Sequence, residues 1–136
     1  MRALILMTAV LALALAGAPR ANAQSFDGIY KGTNRSTEET IITGGRVHRC
    51  PPIGTVQRLE FRVAGQTITV ATPRESFSGT VSSDGRFTIS AVPEGLGLQR
   101  GASLTWTGQI EGTQINGAFQ FQGAGTICRA VFSAKK

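Results

Sequence analysis

Apolar and polar residues alternate along most of the chain after residue 55, as they do in β-strands that bury one face. In residues 55–63 three apolar side chains fall on one face and three charged side chains on the other: Leu59, Phe61 and Val63 against Arg58, Glu60 and Arg62. No segment of the remaining chain shows the 3.6-residue apolar period of an amphipathic helix. The pattern therefore predicts an all-β domain.

The same alternation predicts eight strands in all. We expect them at residues 26–30, 55–63, 66–71, 77–82, 86–91, 104–110, 115–121 and 126–134. Three of the connections are tight hairpin turns: Ala64-Gly65, Ser83-Asp84-Gly85 and Gly112-Thr113. Strands joined this closely pair with their sequence neighbours, which favours an antiparallel up-and-down meander.

A short motif recurs on the predicted inward faces. It places a glycine between two large apolar residues, as in Phe26-x-Gly28-x-Tyr30, Phe77-x-Gly79-x-Val81, Trp106-x-Gly108-x-Ile110 and Ile115-x-Gly117-x-Phe119. In a small barrel, such glycines let strands coil tightly and let bulky side chains opposite fill the interior. The competing interpretation is that glycine is simply abundant, at 17 residues. The shared parity favours an eight-stranded antiparallel up-and-down β-barrel, whose closure leaves no sheet edge exposed.

The longer predicted connections all lie at the end opposite the tight turns. They are residues 33–54, 72–76, 92–102 and 123–125, and we interpret this end as the binding face because scaffolds carry function on loops. The candidate binding rim comprises eight residues: Arg35, Arg46, His48, Arg49, Arg74, Leu96, Leu98 and Arg100. Glu38, Glu39, Glu75 and Glu94 share the rim, so an ordinary solvated loop surface is the alternative to an anion site. Leu96 and Leu98 form either a mobile apolar lid or a small core under their loop.

The first 23 residues have the layout of a secretory signal peptide. A basic start, Met1-Arg2, precedes an apolar run at residues 3–17 and the cleavage pattern Ala21-Asn22-Ala23. The run is shorter than the roughly 20 residues a spanning helix needs, and Ala18 stands where a lipoprotein would have its cysteine. We therefore expect a single soluble domain, residues 24–136, that is periplasmic or secreted and has no stable membrane anchor.

The charge of the mature chain is mildly positive and scattered. Cleavage would remove Arg2 and Arg20, which leaves 12 basic residues against 8 acidic ones and a net charge of +4. A nucleic-acid-binding barrel would present aromatic side chains outward for stacking, whereas the aromatic residues of the predicted strands take inward parity. We do not expect a nucleic-acid partner.

Cys50 and Cys128 are the only two cysteines, and in an exported chain such a pair predicts one disulfide. The alternatives are a reactive thiol and a metal site. A zinc site needs about four ligands, and His48 is the only histidine available to join the two cysteines. No metal and no cofactor is expected.

Catalysis has little support in the sequence. No predicted inward row contains a histidine or a carboxylate, so a general acid and base held in a cleft is hard to build. His48 is the only residue on which a nucleophile–histidine device could rely. We expect a protein that is not an enzyme.

The first strand resembles the start of the calycins, the lipocalin- and avidin-type barrels. Phe26-x-Gly28-x-Tyr30 is similar to their G-x-W motif, with Tyr30 where that family has tryptophan. The resemblance implies that Arg129 on the last strand lies against this aromatic residue. The chain also resembles small exported bacterial barrels of unassigned role.

Two classes of function remain. The first is an interaction module that recognises a protein or another macromolecule through the long loops at one barrel end. The alternative is a carrier that holds a small apolar or anionic ligand in the barrel mouth. An eight-stranded barrel is only just wide enough for its own side chains or one small ligand. Because the inward residues are mostly large and apolar, we expect a filled interior, which favours recognition by the loops.

Overall fold

The computed structural model describes residues 25–41, 50–92, 102–123 and 125–136 as one closed antiparallel barrel. Its eight strands are β1 (Gly28–Ile41), β2 (Val56–Ala64), β3 (Thr67–Ala71), β4 (Ser76–Val81), β5 (Arg86–Ala91), β6 (Ser103–Glu111), β7 (Gln114–Gly123) and β8 (Thr126–Lys135). Each strand pairs with its sequence neighbour, and β1 pairs with β8 to close the barrel. The predicted all-β, eight-stranded up-and-down barrel is confirmed. The described residues contain no helical segment that could span a lipid bilayer.

The first strand is much longer than its sequence pattern indicates. A strand ending at Tyr30 and a loop beginning at Thr33 were expected, but β1 continues to Ile41. Beyond Tyr30 its inward positions are Gly32, Asn34 and Ser36, so the apolar alternation that marks a buried strand is missing. Pairing with β8 holds this stretch, from Lys31 opposite Lys135 to Ile41 opposite Thr126. The loop prediction is therefore wrong for residues 33–41.

The half of the barrel nearest the tight turns is filled by aromatic rings. Phe61 lies 5.7 Å from Phe87 and 5.1 Å from Phe132, measured between ring centroids. Phe87 and Phe132 occupy the space beside Gly108 and Gly117, where a β-carbon would come within 2.6 Å and 2.5 Å of the respective ring. The interpretation that the motif glycines make room for bulky neighbours is confirmed at these two positions.

Two hydrogen bonds hold the segment before β1 at this filled end. The Tyr30 hydroxyl donates to the carbonyl oxygen of Phe26 at 2.7 Å, and the amide of Gly65 donates to Oδ1 of Asp27 at 2.8 Å. Tyr30 itself is fully buried. These hydrogen bonds hold the segment before β1 against this end of the barrel.

At the open end a disulfide joins Cys50 to Cys128, as predicted. Cys128 lies on β8 opposite Glu39 of β1, and the amide of Cys50 donates to Oε1 of Glu39 at 3.4 Å. The bridge thus fixes the chain that leads into β2 against the β1–β8 pair. It closes a loop with a sequence separation of 78 residues.

Candidate functional site

A cavity of about 680 Å³ opens at the end of the barrel opposite the tight turns. Its floor is a row of three aromatic rings with Trp106 of β6 in the middle. The Trp106 ring lies 5.1 Å from that of Phe77 on β4 and 4.7 Å from that of Phe119 on β7. Trp106 is 3% exposed, whereas Phe77 and Phe119 are partly exposed. The floor therefore exposes parts of two phenyl rings, one on each side of a buried indole.

Strand register explains why these rings meet. Trp106 lies directly opposite Phe119 in the β6–β7 ladder, so the two side chains share the inward face. One step toward the open end, Leu104 faces Phe121. Cys128 faces Phe121 from β8, which brings the disulfide into the cavity wall. The floor and this wall are apolar.

The opposite wall is polar and comes from β2 and the turn between β3 and β4. It contributes Gln57, Arg58, Thr72, Arg74 and Glu75. Thr72 and Glu75 hold the turn: the Glu75 amide donates to Oγ1 of Thr72 at 3.2 Å, and the Thr72 amide donates to the Glu75 carbonyl oxygen at 2.9 Å. The site thus has one apolar and one polar side.

Neither arginine of the polar wall is in an ion pair within the part of the chain that the structure describes. The ion pairs there join Arg62 to Glu60, Arg86 to Asp84 and Arg129 to Glu38. The side chains of Arg58 and Arg74 are exposed to solvent. Two guanidinium groups are thus available beside the cavity, together with the carboxylate of Glu75.

Beside the cavity, one part of the barrel wall lacks strand pairing. The β2–β3 ladder begins at Glu60 opposite Ala71, so residues 56–59 of β2 pair with β1 alone among the described residues. Pro73 follows shortly after β3 and has no amide hydrogen to extend the ladder. A second cleft of about 600 Å³ lies here and shares Arg58, Thr72 and Pro73 with the first cavity. We call this opening the side slot.

No protein-family model matches the sequence. No curated protein matches it either. Among solved structures, the barrel is similar to a mutant of the vaccine antigen Transferrin Binding Protein B from Haemophilus parasuis Hp5, with 18% sequence identity and a TM-score of 0.46. That match covers 80% of this chain and 26% of the other, so this chain spans about a quarter of that protein's length.

The structure places two of the eight predicted rim residues. Arg74 lines the cavity. Arg35, expected in a loop, lies instead on the outer face of β1, opposite Val56 and Val131, because β1 continues past it. The other six lie outside the described residues: Arg46, His48, Arg49, Leu96, Leu98 and Arg100.

The floor of the cavity could not be predicted from inward parity. Phe77, Trp106 and Phe119 do point inward as predicted, but the expectation of a filled interior does not hold at their height in the barrel. Only the half nearest the tight turns is filled. The available signal was the clustering of aromatic residues on the strands next to the longer connections, but inward parity does not say at which height in the barrel a ring lies.

The arginine implied by the calycin resemblance is not in the expected place. Nη1 of Arg129 lies 3.0 Å from Oε1 of Glu38, on the outer face of the β1–β8 pair. The cation over the Tyr30 ring is Lys136, whose Nζ is 5.9 Å from the ring centroid. The implication that Arg129 packs against the first-strand aromatic is therefore wrong.

Among the described residues, two titrating groups have shifted pKa values, and both lie away from the cavity. Hydrogen bonds from the Ser82 hydroxyl and from the Arg86 amide lower the pKa of Asp84, in a tight turn. Burial, and then the charge of Asp27, raise the pKa of Tyr30 at the filled end. Within the described ranges no group of histidine, cysteine and carboxylate side chains is arranged to hold a metal ion. The cavity therefore combines an apolar floor and wall with charged side chains on one side.

Proposed function

We propose that this protein is an exported, non-enzymatic binding barrel that holds a small apolar ligand in the cavity at its open end. The observation that carries the proposal is the floor of Phe77, Trp106 and Phe119 beneath a cavity of about 680 Å³. Ligand pockets typically occupy about 300–1,000 Å³ and combine apolar walls with a few polar groups. The disulfide supports an oxidising compartment outside the cytoplasm.

Burial of apolar surface would supply most of the affinity. Aromatic side chains bury large areas, and each Å² removed from water contributes about 25 cal/mol. Since Phe77 and Phe119 are only partly buried in the free protein, a ligand on the floor would cover their remaining exposed surface. Little rearrangement is needed because the register of β6 and β7 already sets the two rings of Trp106 and Phe119 side by side.

Trp106 is the only tryptophan, so its fluorescence reports directly on the cavity floor. Titration of the oxidised protein with decan-1-ol should change Trp106 emission in a saturable way, and calorimetry should give the same Kd. The Phe119→Ala variant should weaken binding about 10-fold or more, because it removes a ring from the floor. The proposal would be contradicted if neither decan-1-ol nor a panel of other small apolar compounds changed Trp106 emission.

The control is Phe87→Leu, which alters the ring cluster at the filled end. This variant should lower the free energy of unfolding yet leave the Kd within about 2-fold of wild type, since Phe87 does not line the cavity. Equal weakening by both variants would show that Phe119→Ala acts through general loss of structure.

A second candidate is recognition of a protein by the rim of the open end. Four apolar side chains at this end, Ile41, Ile53, Val56 and Val92, are between 50% and 73% exposed. A contiguous exposed apolar patch is a feature of interaction surfaces, and these four residues share one end of the barrel. Replacing Ile53 and Val92 by serine should reduce capture of a macromolecular partner from the exported fraction while leaving decan-1-ol binding to the floor intact.

A further inference from the structure

We infer that the ligand is an amphipathic anion, with its apolar body on the aromatic floor and its acidic group between Arg58 and Arg74, where the cavity meets the side slot. This inference rests on the proposed function and deepens it by naming the chemical class. The ligand that we infer is a free small molecule with a carboxylate head group.

The position of Arg58 is the first step. Arg58 lies on β2 in the stretch that has no β3 partner, and it lines both the cavity and the side slot. Its neighbour Leu59 points inward and is buried. A ligand lying on the floor and leaving through the wall would therefore pass the Arg58 guanidinium at the boundary between the two spaces.

Arg74 supplies the second charge. It stands in the turn between β3 and β4, one residue after Pro73, which also lines both spaces. Arginine can bind a carboxylate through two parallel hydrogen bonds, whereas lysine presents a single point charge, so arginine suits a carboxylate head better. Two guanidinium groups thus flank the route that an acidic head would take.

The charges around the slot favour an anion. Lys31 adds a third cation at the outer side of the slot. Two carboxylates lie nearby: Glu60, whose Oε1 is 3.5 Å from Nη2 of Arg62, and Glu75, which has no ion-pair partner among the described residues. Among the described residues, three cations therefore lie beside one carboxylate that has no salt bridge.

The test compares three probes that share one apolar tail: decanoate, decan-1-ol and decyltrimethylammonium. Kd values are measured from Trp106 emission at low salt with the oxidised protein. Wild type should bind decanoate about 10-fold more tightly than decan-1-ol, and the cation more weakly than either. The preference for decanoate should shrink as salt rises, because solvent-exposed charges are screened.

The Arg58→Gln/Arg74→Gln variant should bring the Kd values of decanoate and decan-1-ol to within about 2-fold of each other. Arg35→Gln is the control for the two single variants, Arg58→Gln and Arg74→Gln, because it also removes one charge, from an exposed position of β1 outside the cavity lining; it should keep the preference for decanoate that each of them reduces. A preference lost equally in Arg35→Gln would overturn the inference by showing a general charge effect.

The outcomes separate this inference from the function on which it rests. If wild type binds decan-1-ol and decanoate equally, the apolar site stands and the anion inference fails. If decyltrimethylammonium binds most tightly, Glu75 dominates the slot and the inference is reversed. If none of the three probes changes Trp106 emission, the proposed function fails with it.

Discussion

The ring of Phe87 takes the space that a side chain on Gly108 would need. Its Cζ lies 2.6 Å from the position of a β-carbon at residue 108, and the backbone oxygen of Asn116 lies 2.7 Å from the same point. Both distances are far inside van der Waals contact. Residue 108 is therefore limited to glycine by a ring on one side and by the neighbouring strand on the other.

We predict that Gly108→Ala lowers the free energy of unfolding by about 1–3 kcal/mol, the usual cost of overpacking a core. Urea unfolding measures the effect. The loss caused by Gly108→Ala should be smaller when it is measured in a Phe87→Leu background, since a smaller side chain relieves one of the two clashes. Thr107→Val, on the outer face of the same strand, is the control and should stay within about 0.5 kcal/mol of wild type.

The disulfide should provide much of the stability of the barrel. Closing a loop with a separation of 78 residues restricts the unfolded chain, and typical disulfides contribute about 2–4 kcal/mol. We expect the Cys50→Ser/Cys128→Ser variant to lose that amount in urea unfolding and to match the reduced wild-type protein. An unaltered unfolding midpoint would show that the bridge has no structural role.

Burial of Tyr30 should make the folded protein less stable at alkaline pH. Burial favours the neutral phenol, so the pKa of Tyr30 is raised in the folded state above its ordinary value of about 10. The resulting stabilisation is fully present below the ordinary pKa and is lost as pH rises through the folded pKa. Because Tyr30 is the only tyrosine, tyrosinate absorbance follows this group alone.

The native protein should therefore titrate above the urea-unfolded chain in the same absorbance experiment. Tyr30→Phe should abolish the signal and cost about 1 kcal/mol at neutral pH, through loss of the hydrogen bond to Phe26. Identical titration midpoints in the folded and unfolded chains would contradict the assignment of Tyr30 to a buried site.

Replacing Arg129 should have a small effect. Its bond to Glu38 lies on the outer face of the barrel, where exposed ion pairs contribute about 0–1 kcal/mol. We expect Arg129→Ala to lower the free energy of unfolding by less than about 1 kcal/mol, and by still less in a Glu38→Ala background. A loss of several kcal/mol would restore the packing role that the calycin resemblance implies.

Most of the barrel could be predicted from sequence because seven strands carry their inward residues in regular alternation. Parity alone fixes which side chains of β2 to β8 face the core, as with Phe61 and Ile89, both of which are buried. Tight turns fix the pairing order in the same way. Local sequence was sufficient wherever the buried face is apolar.

The rest depends on contacts between distant segments. Residues 33–41 form a strand because β8 lies beside all of this stretch and β2 lies beside its first residues, whereas their own composition is that of a polar loop. The cavity depends on the relative heights of Phe77, Trp106 and Phe119, which the stagger between strands determines. The role of Arg58 follows from the point at which the β2–β3 ladder begins. None of these relationships is contained in a single segment.

The β1–β8 pairing has an irregular step, where Ser36 faces Ala130 and Glu38 faces Arg129. This step determines on which side of the strand the side chains of Glu38 and Glu39 lie. A strand alternates sides with every residue, so the one extra residue, Thr37, exchanges inside and outside for all that follow. If Thr37 instead took a regular place opposite Arg129, Glu38 would face Cys128 and lose Arg129, while Glu39 would turn away from the amide of Cys50. A single additional residue thus sorts two chemically identical side chains into a surface partner and an anchor for the covalent bridge.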